Sequence, residues 1–284
     1  MRHAILGVGG VGGLIGGALA RSGHDVVLLM RPESAATYGG VLTVESAVLG
    51  DFEVPVRAAT ALAEPVDVVW VMPKATQVEG ALRLAPADVV GKARVVTLMN
   101  GVDHLALLQQ RYAGVIAGAI RVESERLAPG HIRQLSPFVR VELSDGADVV
   151  AELVAAGIEA RVGADALTIL WQKLAFLAPL ALATTVHDTT LGGVRDGDDF
   201  RGCQAETVAV ARAEGASIDE AALSALTYGA PPDLRSSMQK DRKRGLPLEL
   251  DAIAGPVLRH GAQRGIATPA TQRLSDVLGP GQSG

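Results

Sequence analysis

Between residues 166 and 187 the only formally charged side chain is Lys173, set in Leu170-Trp171-Gln172-Lys173-Leu174-Ala175-Phe176-Leu177. A helix this apolar all round is a buried one. Its single ammonium must lie along apolar surface with its head in water, pair with an acid, or face a cavity. In the last case burial lowers the amine pKa toward neutrality, and the group becomes a proton donor for a carbonyl oxygen. A second run points to the other half of such chemistry. Gly7-Val8-Gly9-Gly10-Val11-Gly12 fits G-x-G-x-x-G, a spacing that brings backbone N–H groups and a helix N-terminus up to a pyrophosphate, whose charge the helix dipole stabilises. Read more plainly, the same run is a glycine turn.

The elements around the glycine run favour the nucleotide. The run follows a strand at residues 4–8 and opens a helix to Arg21, which Gly23 closes before a second strand at 26–30. That is a complete β-turn-α-β unit. At the end of the second strand, where an NAD-specific fold carries Asp or Glu on the ribose hydroxyls, stands Arg31. A guanidinium can hold a 2′-phosphate that a carboxylate would repel, so NADP(H) is expected over NAD. The alternative is an ordinary exposed arginine at a strand end.

Further short aliphatic runs at 66–72, 94–98 and 115–120 alternate with helix-like segments. They predict an α/β class fold, an N-terminal Rossmann domain with a doubly wound, mostly parallel sheet. Runs at 52–56, 132–135 and 139–143 suggest excursions and an antiparallel edge. Beyond Gly163 the segments 166–183, 200–215, 219–228 and 248–261 have helical length and spacing. The expected division is therefore a nucleotide-binding domain at 1–164 and an all-helical substrate domain at 165–284, with a loose tail from Gly279 to Gly284. Two domains also suit 284 residues at roughly 150 residues each.

With Lys173 and the upstream loop in view, the sequence resembles the ketopantoate reductases (2-dehydropantoate 2-reductases) over nearly its whole length. The matching pieces are Gly7–Gly12 with Arg31, Lys74-Ala75-Thr76-Gln77, Leu98-Met99-Asn100-Gly101, Trp171-Gln172-Lys173-Leu174, Ser236-Ser237-Met238-Gln239-Lys240-Asp241, and Glu249-Leu250-Asp251 ahead of Gly255. The resemblance implies that Lys173 donates the proton and that Asn100 holds the lysine and the substrate. It implies that Glu249 grips a substrate hydroxyl and offsets the lysine charge, and that Ser237 binds the substrate carboxylate. Lys74, Gln77 and Asn100 would line the cofactor beside Gly7, Gly9, Gly10, Val11 and Gly12. Each residue also has a plainer role: Asn-Gly is a turn signal, Ser236 and Ser237 suit a helix N-cap, and Glu249 suits a first helical turn. The run Lys240-Asp241-Arg242-Lys243-Arg244 reads as a solvated face. His24, His104, His131 and His187 have no partner at ligand spacing in the sequence.

The chain departs from the family pattern at the substrate end. That pattern has asparagines four and eight residues after the lysine, where Leu177 and Ala181 stand, and a polar residue three before Ser237, where Leu234 stands. Residues at i, i+4 and i+8 share a helix face, so Leu177 and Ala181 should flank whatever Lys173 touches. Pro179 is expected to bend the helix there. A buried substrate group deprived of its hydrogen bond costs roughly 1–3 kcal/mol. The expected reaction is NADPH-dependent hydride transfer to the 2-keto group of 2-dehydropantoate. The alternatives are a less polar ketone or imine on the same scaffold, or a non-catalytic NADP(H)-binding regulator.

Composition narrows the remaining classes. A net charge of −5 and only 2 Trp, 3 Tyr and 4 Phe disfavour nucleic acid. The single cysteine, Cys203, makes neither an internal disulfide nor structural zinc, and no metal is expected. The first residues enter a strand pattern without an export signal. The longest uninterrupted apolar stretch, 174–183, is about half of a membrane span. The expectation is a cytoplasmic protein whose partner is a small-molecule carbonyl substrate, with no nucleic acid, no membrane, and a homodimer as an admissible assembly.

Overall fold

The structure is a computed structural model describing residues 1–279; of the expected loose tail, residues 280–284 lie outside it. Two compact units form, one of Met1–Met99 with His104–Ala166, the other of Asn100–Asp103 with the chain from Leu167 onward. Four residues of the expected first domain thus belong with the helices of the second.

In the first unit the strands are β1 (Arg2–Leu6), β2 (Asp25–Leu29), β3 (Val41–Ser46), β4 (Phe52–Pro55), β5 (Arg57–Ala59), β6 (Val68–Val71), β7 (Arg94–Thr97), β8 (Val115–Arg121), β9 (Ser124–Ala128), β10 (His131–Gln134), β11 (Arg140–Leu143) and β12 (Glu159–Val162). Eight of them form one sheet in the order β12-β11-β8-β7-β6-β1-β2-β5. It is parallel from β8 to β5 and reverses only where β11 meets β8. The aliphatic runs are continuous because these strands are covered on both faces, by two separate apolar clusters. The expected excursions join a second sheet, β4-β3-β10-β9. The aliphatic pattern misses β3, whose residues alternate between buried and more exposed, and β5, β9 and β12, short or exposed strands with little apolar signal.

The first helix, Gly10–Arg21, runs between the two sheets. On one side a methyl at Gly12 or Gly16 would meet Ile5 at 3.2 or 3.0 Å; on the other, one at Gly13 or Gly17 would meet Ile132 at 2.4 Å or Val44 at 3.1 Å. The clustering of seven of the 33 glycines between Gly7 and Gly17 therefore lets one helix approach two layers.

The second unit is helical. Its central helix, Ala166–Val186, contains Pro179. Proline cannot donate to the Ala175 carbonyl one turn earlier, and Gln204 Nε2 donates to that oxygen at 3.4 Å instead. This helix is 21 residues long and, among the described residues, the one long and apolar enough to cross a membrane. The ten-residue apolar run understates it. Two thirds of its most apolar window, 67%, is nevertheless packed inside the protein, as a core helix requires. The segment expected as one helix at 248–261 is two, Leu250–Ile253 and Gly255–Arg264, because Pro256 restarts the second.

Candidate active site

In the first unit the glycine run sits at the carboxyl end of β1. Gly7 has φ +95°, and a methyl there would lie 2.3 Å from the Pro73 nitrogen; one at Gly12 would lie 2.2 Å from the Gly7 carbonyl oxygen. Both positions are closed to any side chain. Gly9 differs, because a methyl on it meets nothing within 4 Å. The backbone is thus exposed to a ligand at Gly9, next to the N-terminus of a twelve-residue helix that no side chain caps. This cradle fits a pyrophosphate. On its two flanks, Arg31 follows β2 and Lys74 follows β6 by way of Pro73, with Lys74, Gln77 and Arg31 all exposed. Val11 is half-buried in the helix's first turn.

The second unit gathers residues far apart in sequence. Asn100 Nδ2 donates to Glu249 Oε2 at 3.2 Å, across 149 residues. Glu249 stands at the N-terminal end of Leu250–Ile253, yet its side chain does not cap that helix; it is turned to Asn100 and is only 9% exposed. The first-turn-acid reading therefore does not describe its carboxylate. Gly101, with φ +85°, presses so closely on the same segment that a methyl would lie 2.4 Å from the Ala252 carbonyl oxygen. The Asn-Gly pair is thus a turn and a polar contact at once. Lys173 is half-buried on the central helix between buried Trp171 and Leu174.

The two serines separate in role. Ser236 Oγ accepts from the Gln239 backbone N–H at 3.1 Å and lies 2.9 Å from Thr184 Oγ1, so Ser236 is a buried N-cap fastened to the central helix. Ser237 is exposed. Of the apolar departures, Leu177 and Leu234 are half-buried, whereas Ala181 is fully buried and presents no open surface. Arg242, Lys243 and Arg244 are exposed, as a solvated face is, while Arg242 donates to the Thr185 carbonyl at 2.7 Å and Lys243 pairs with Asp188 at 2.9 Å.

Sequence reasoning missed Asp103, Arg259 and His260, which meet in this unit. Arg259 and His260 donate to Asp103 at 2.6 and 2.9 Å. Burial would raise the Asp103 carboxyl, but these bonds hold it below its usual range. A lone aspartate and an Arg-His pair 156 residues away carry no local signal.

Among the described residues His3, His24 and Glu152 bring three ligand atoms within 4.8 Å of one another. Trp70 Nε1 donates to His3 Nδ1 at 3.2 Å, which leaves the proton of a neutral ring on Nε2, facing Glu152 Oε2 at 3.1 Å. A protonated nitrogen is no metal ligand. The His3 pKa is lowered to about 4, first by burial and then by the charges of His24 and the N-terminal ammonium. His131 and His187 find acid partners, Glu45 at 2.6 Å and Asp199 at 3.1 Å, as surface pairs.

Residues 3–147 match the family described as ketopantoate reductase PanE/ApbA, and residues 165–282 match its C-terminal part. The 2-dehydropantoate 2-reductase of Caulobacter vibrioides is 32% identical over 293 residues, covering 97% of this chain and 97% of that protein. Among solved structures, a PanE/ApbA family ketopantoate reductase from Ralstonia eutropha superposes with TM-score 0.86 at 29% identity, covering 98% of this chain and 97% of that one. A D-mandelate dehydrogenase bound to NADH and anilino(oxo)acetate shares the fold, with TM-score 0.87 at 21% identity over 98% and 97% of the two chains.

Proposed function

The chain belongs to the ketopantoate reductase PanE/ApbA family, an oxidoreductase family acting on a CH–OH group with a nicotinamide cofactor, and from that premise we propose that it uses NADPH to reduce the 2-keto group of 2-dehydropantoate to pantoate. The observation that carries this reading is the bond between Asn100 and buried Glu249, which sets an amide and a carboxylate side by side in the helical unit. When bound, the reduced nicotinamide supplies the hydride for the keto carbon. Lys173 gives the proton to the oxygen as negative charge develops there. Asn100, with one donor and one acceptor, orients the lysine and the substrate carbonyl. Glu249 accepts from a substrate hydroxyl and offsets the ammonium charge, and Ser237 donates to the carboxylate. On the cofactor side Arg31 would pair with the 2′-phosphate, Gly9 would admit the pyrophosphate against the backbone while Gly10, whose methyl position lies 2.4 Å from the Ser124 carbonyl oxygen, would pack against β9, and Lys74, Gln77 and Asn100 would line the nucleotide.

A second reading, reduction of a less polar ketone or imine, has its own support. The hydroxyls around the far end of the lysine helix are already engaged: Thr184 and Thr185 donate to the Leu180 and Ala181 carbonyls at 2.6 and 2.5 Å. Leu177 and Leu234 add no polar group. NADPH oxidation with 2-dehydropantoate, beside bulkier apolar 2-keto acids and β-keto compounds, separates the two. Fastest turnover of 2-dehydropantoate upholds the first reading, preference for the apolar compounds replaces it with the second, and no turnover of any compound removes both.

A further inference from the structure

The helix Gly255–Arg264 carries a guanidinium held on two sides. Arg259 Nε and Nη2 donate to Asp103 Oδ2 at 3.2 and 2.6 Å. Nη1 donates to Asp251 Oδ1 at 2.5 Å, and Nη2 reaches the Asp251 carbonyl at 3.3 Å. Asp103 lies three residues after Asn100, and Asp251 two residues after Glu249. One cation therefore ties together the two backbone segments whose side chains form the Asn100–Glu249 pair. Room for it comes from Gly255, where a methyl would stand 2.6 Å from both terminal guanidinium nitrogens. His260, the next residue, fixes the other Asp103 oxygen at 2.9 Å and meets the edge of Trp171, two residues before Lys173, with ring centroids 5.6 Å apart.

Taken singly, these ion pairs add little stability. The side chains of Arg259, Asp103 and Asp251 are 44%, 38% and 81% exposed, and exposed ion pairs are worth about 0–1 kcal/mol. Geometry is what a forked, rigid donor adds, because it fixes two acceptors relative to one another as a lysine cannot. We propose that Arg259 is a positioning residue: by bridging Asp103 and Asp251 it sets the separation of Asn100 and Glu249, and so the point at which the substrate oxygen meets its proton donor. This rests on the reading of Asn100 and Glu249 as the substrate-side pair.

The test combines kinetics with amide hydrogen exchange. Arg259→Ala is expected to lower kcat/KM about tenfold or more, mainly through kcat and with the KM for NADPH unchanged. Arg259→Lys recovers less than half of the loss, while Arg212→Ala, which breaks an exposed pair with Glu220 in the same unit, stays at the wild-type value. In an Asn100→Ala background, Arg259→Ala costs under about threefold, because residues acting as a unit are non-additive. Exchange at residues 100–103 and 249–252 rises in Arg259→Ala and not in Arg212→Ala. Arg259→Ala with kcat/KM within about twofold of wild type, costs that add in the double variant, or unchanged exchange would each overturn the proposal. If Asn100→Ala and Glu249→Ala leave turnover intact, the assignment of the substrate pair fails instead, and the exchange data decide separately whether Arg259 holds the two segments.

Discussion

The glycine unit and the helical unit are built from opposite materials for the two tasks the proposed function gives them. In the first, the site is backbone: Gly7 and Gly12 are closed to a methyl, Gly9 is open, and no side chain caps the helix behind them. In the second, the candidate site is side chains on separate segments: a lysine on a helix, an amide in the loop after β7 and, bonded to it, a carboxylate just ahead of Leu250–Ile253. A backbone site fails when atoms are added to it. A side-chain site fails when atoms are removed or shifted, and its parts must be tied together, the task proposed for Arg259 with Asp103 and Asp251.

That contrast is open to attack by substitution. The largest effect belongs to the side-chain site: Lys173→Ala should lower kcat about 10²–10⁴-fold, measured as NADPH oxidation at saturating substrate, with the far-ultraviolet spectrum unchanged. A loss below tenfold would take the proton donor elsewhere. Next is the backbone site. Gly12→Ala should cost about 3 kcal/mol of stability in urea unfolding, since its methyl would lie 2.2 Å from a carbonyl oxygen. Gly9→Ala, facing open space, should leave stability intact and weaken only NADPH; equal destabilisation by both would erase the distinction between them.

A comparable effect concerns the first unit's own stability. His3 has its pKa lowered from 6.5 to about 4 in the folded protein, so between those values the unfolded chain binds the extra proton. Stability is then fully present above pH 6.5 and falls as the pH drops toward 4, by up to about 3 kcal/mol. His3→Gln should flatten the urea-midpoint curve over that window, and parallel curves would refute the assignment. The smallest effect is Arg31→Ala, which should weaken NADPH about tenfold while leaving NADH nearly unchanged. Equal losses would remove the 2′-phosphate contact.

What can be read in the residues follows the same division. The glycine run, the parallel strands 4–8 and 26–30 and the helical length after Gly163 are local patterns, each legible because period and turn chemistry are written within a few residues. The edges β5, β9 and β12 are not legible, since exposed strands lack an apolar run. Lys173 stands out as a lone charge in an apolar helix. Asn100 and Glu249 are reached through the family resemblance, with turn and first-turn roles equally open; only the fold shows their bond. Arg259 and Asp103 have no signal at all in the linear sequence, because an ion pair across 156 residues has no period. Ala181 shows the opposite failure: helix spacing puts it beside the lysine's face, but the packing buries it completely.

The central claim is the division of labour between a backbone site for the nucleotide and a side-chain site for the substrate. NADPH titration followed by nucleotide fluorescence tests it most directly in Lys173→Ala and Glu249→Ala, the two variants expected to lose turnover. The account predicts dissociation constants within about twofold of wild type for both. A loss of about tenfold or more in NADPH affinity, in step with the loss of turnover, would contradict it.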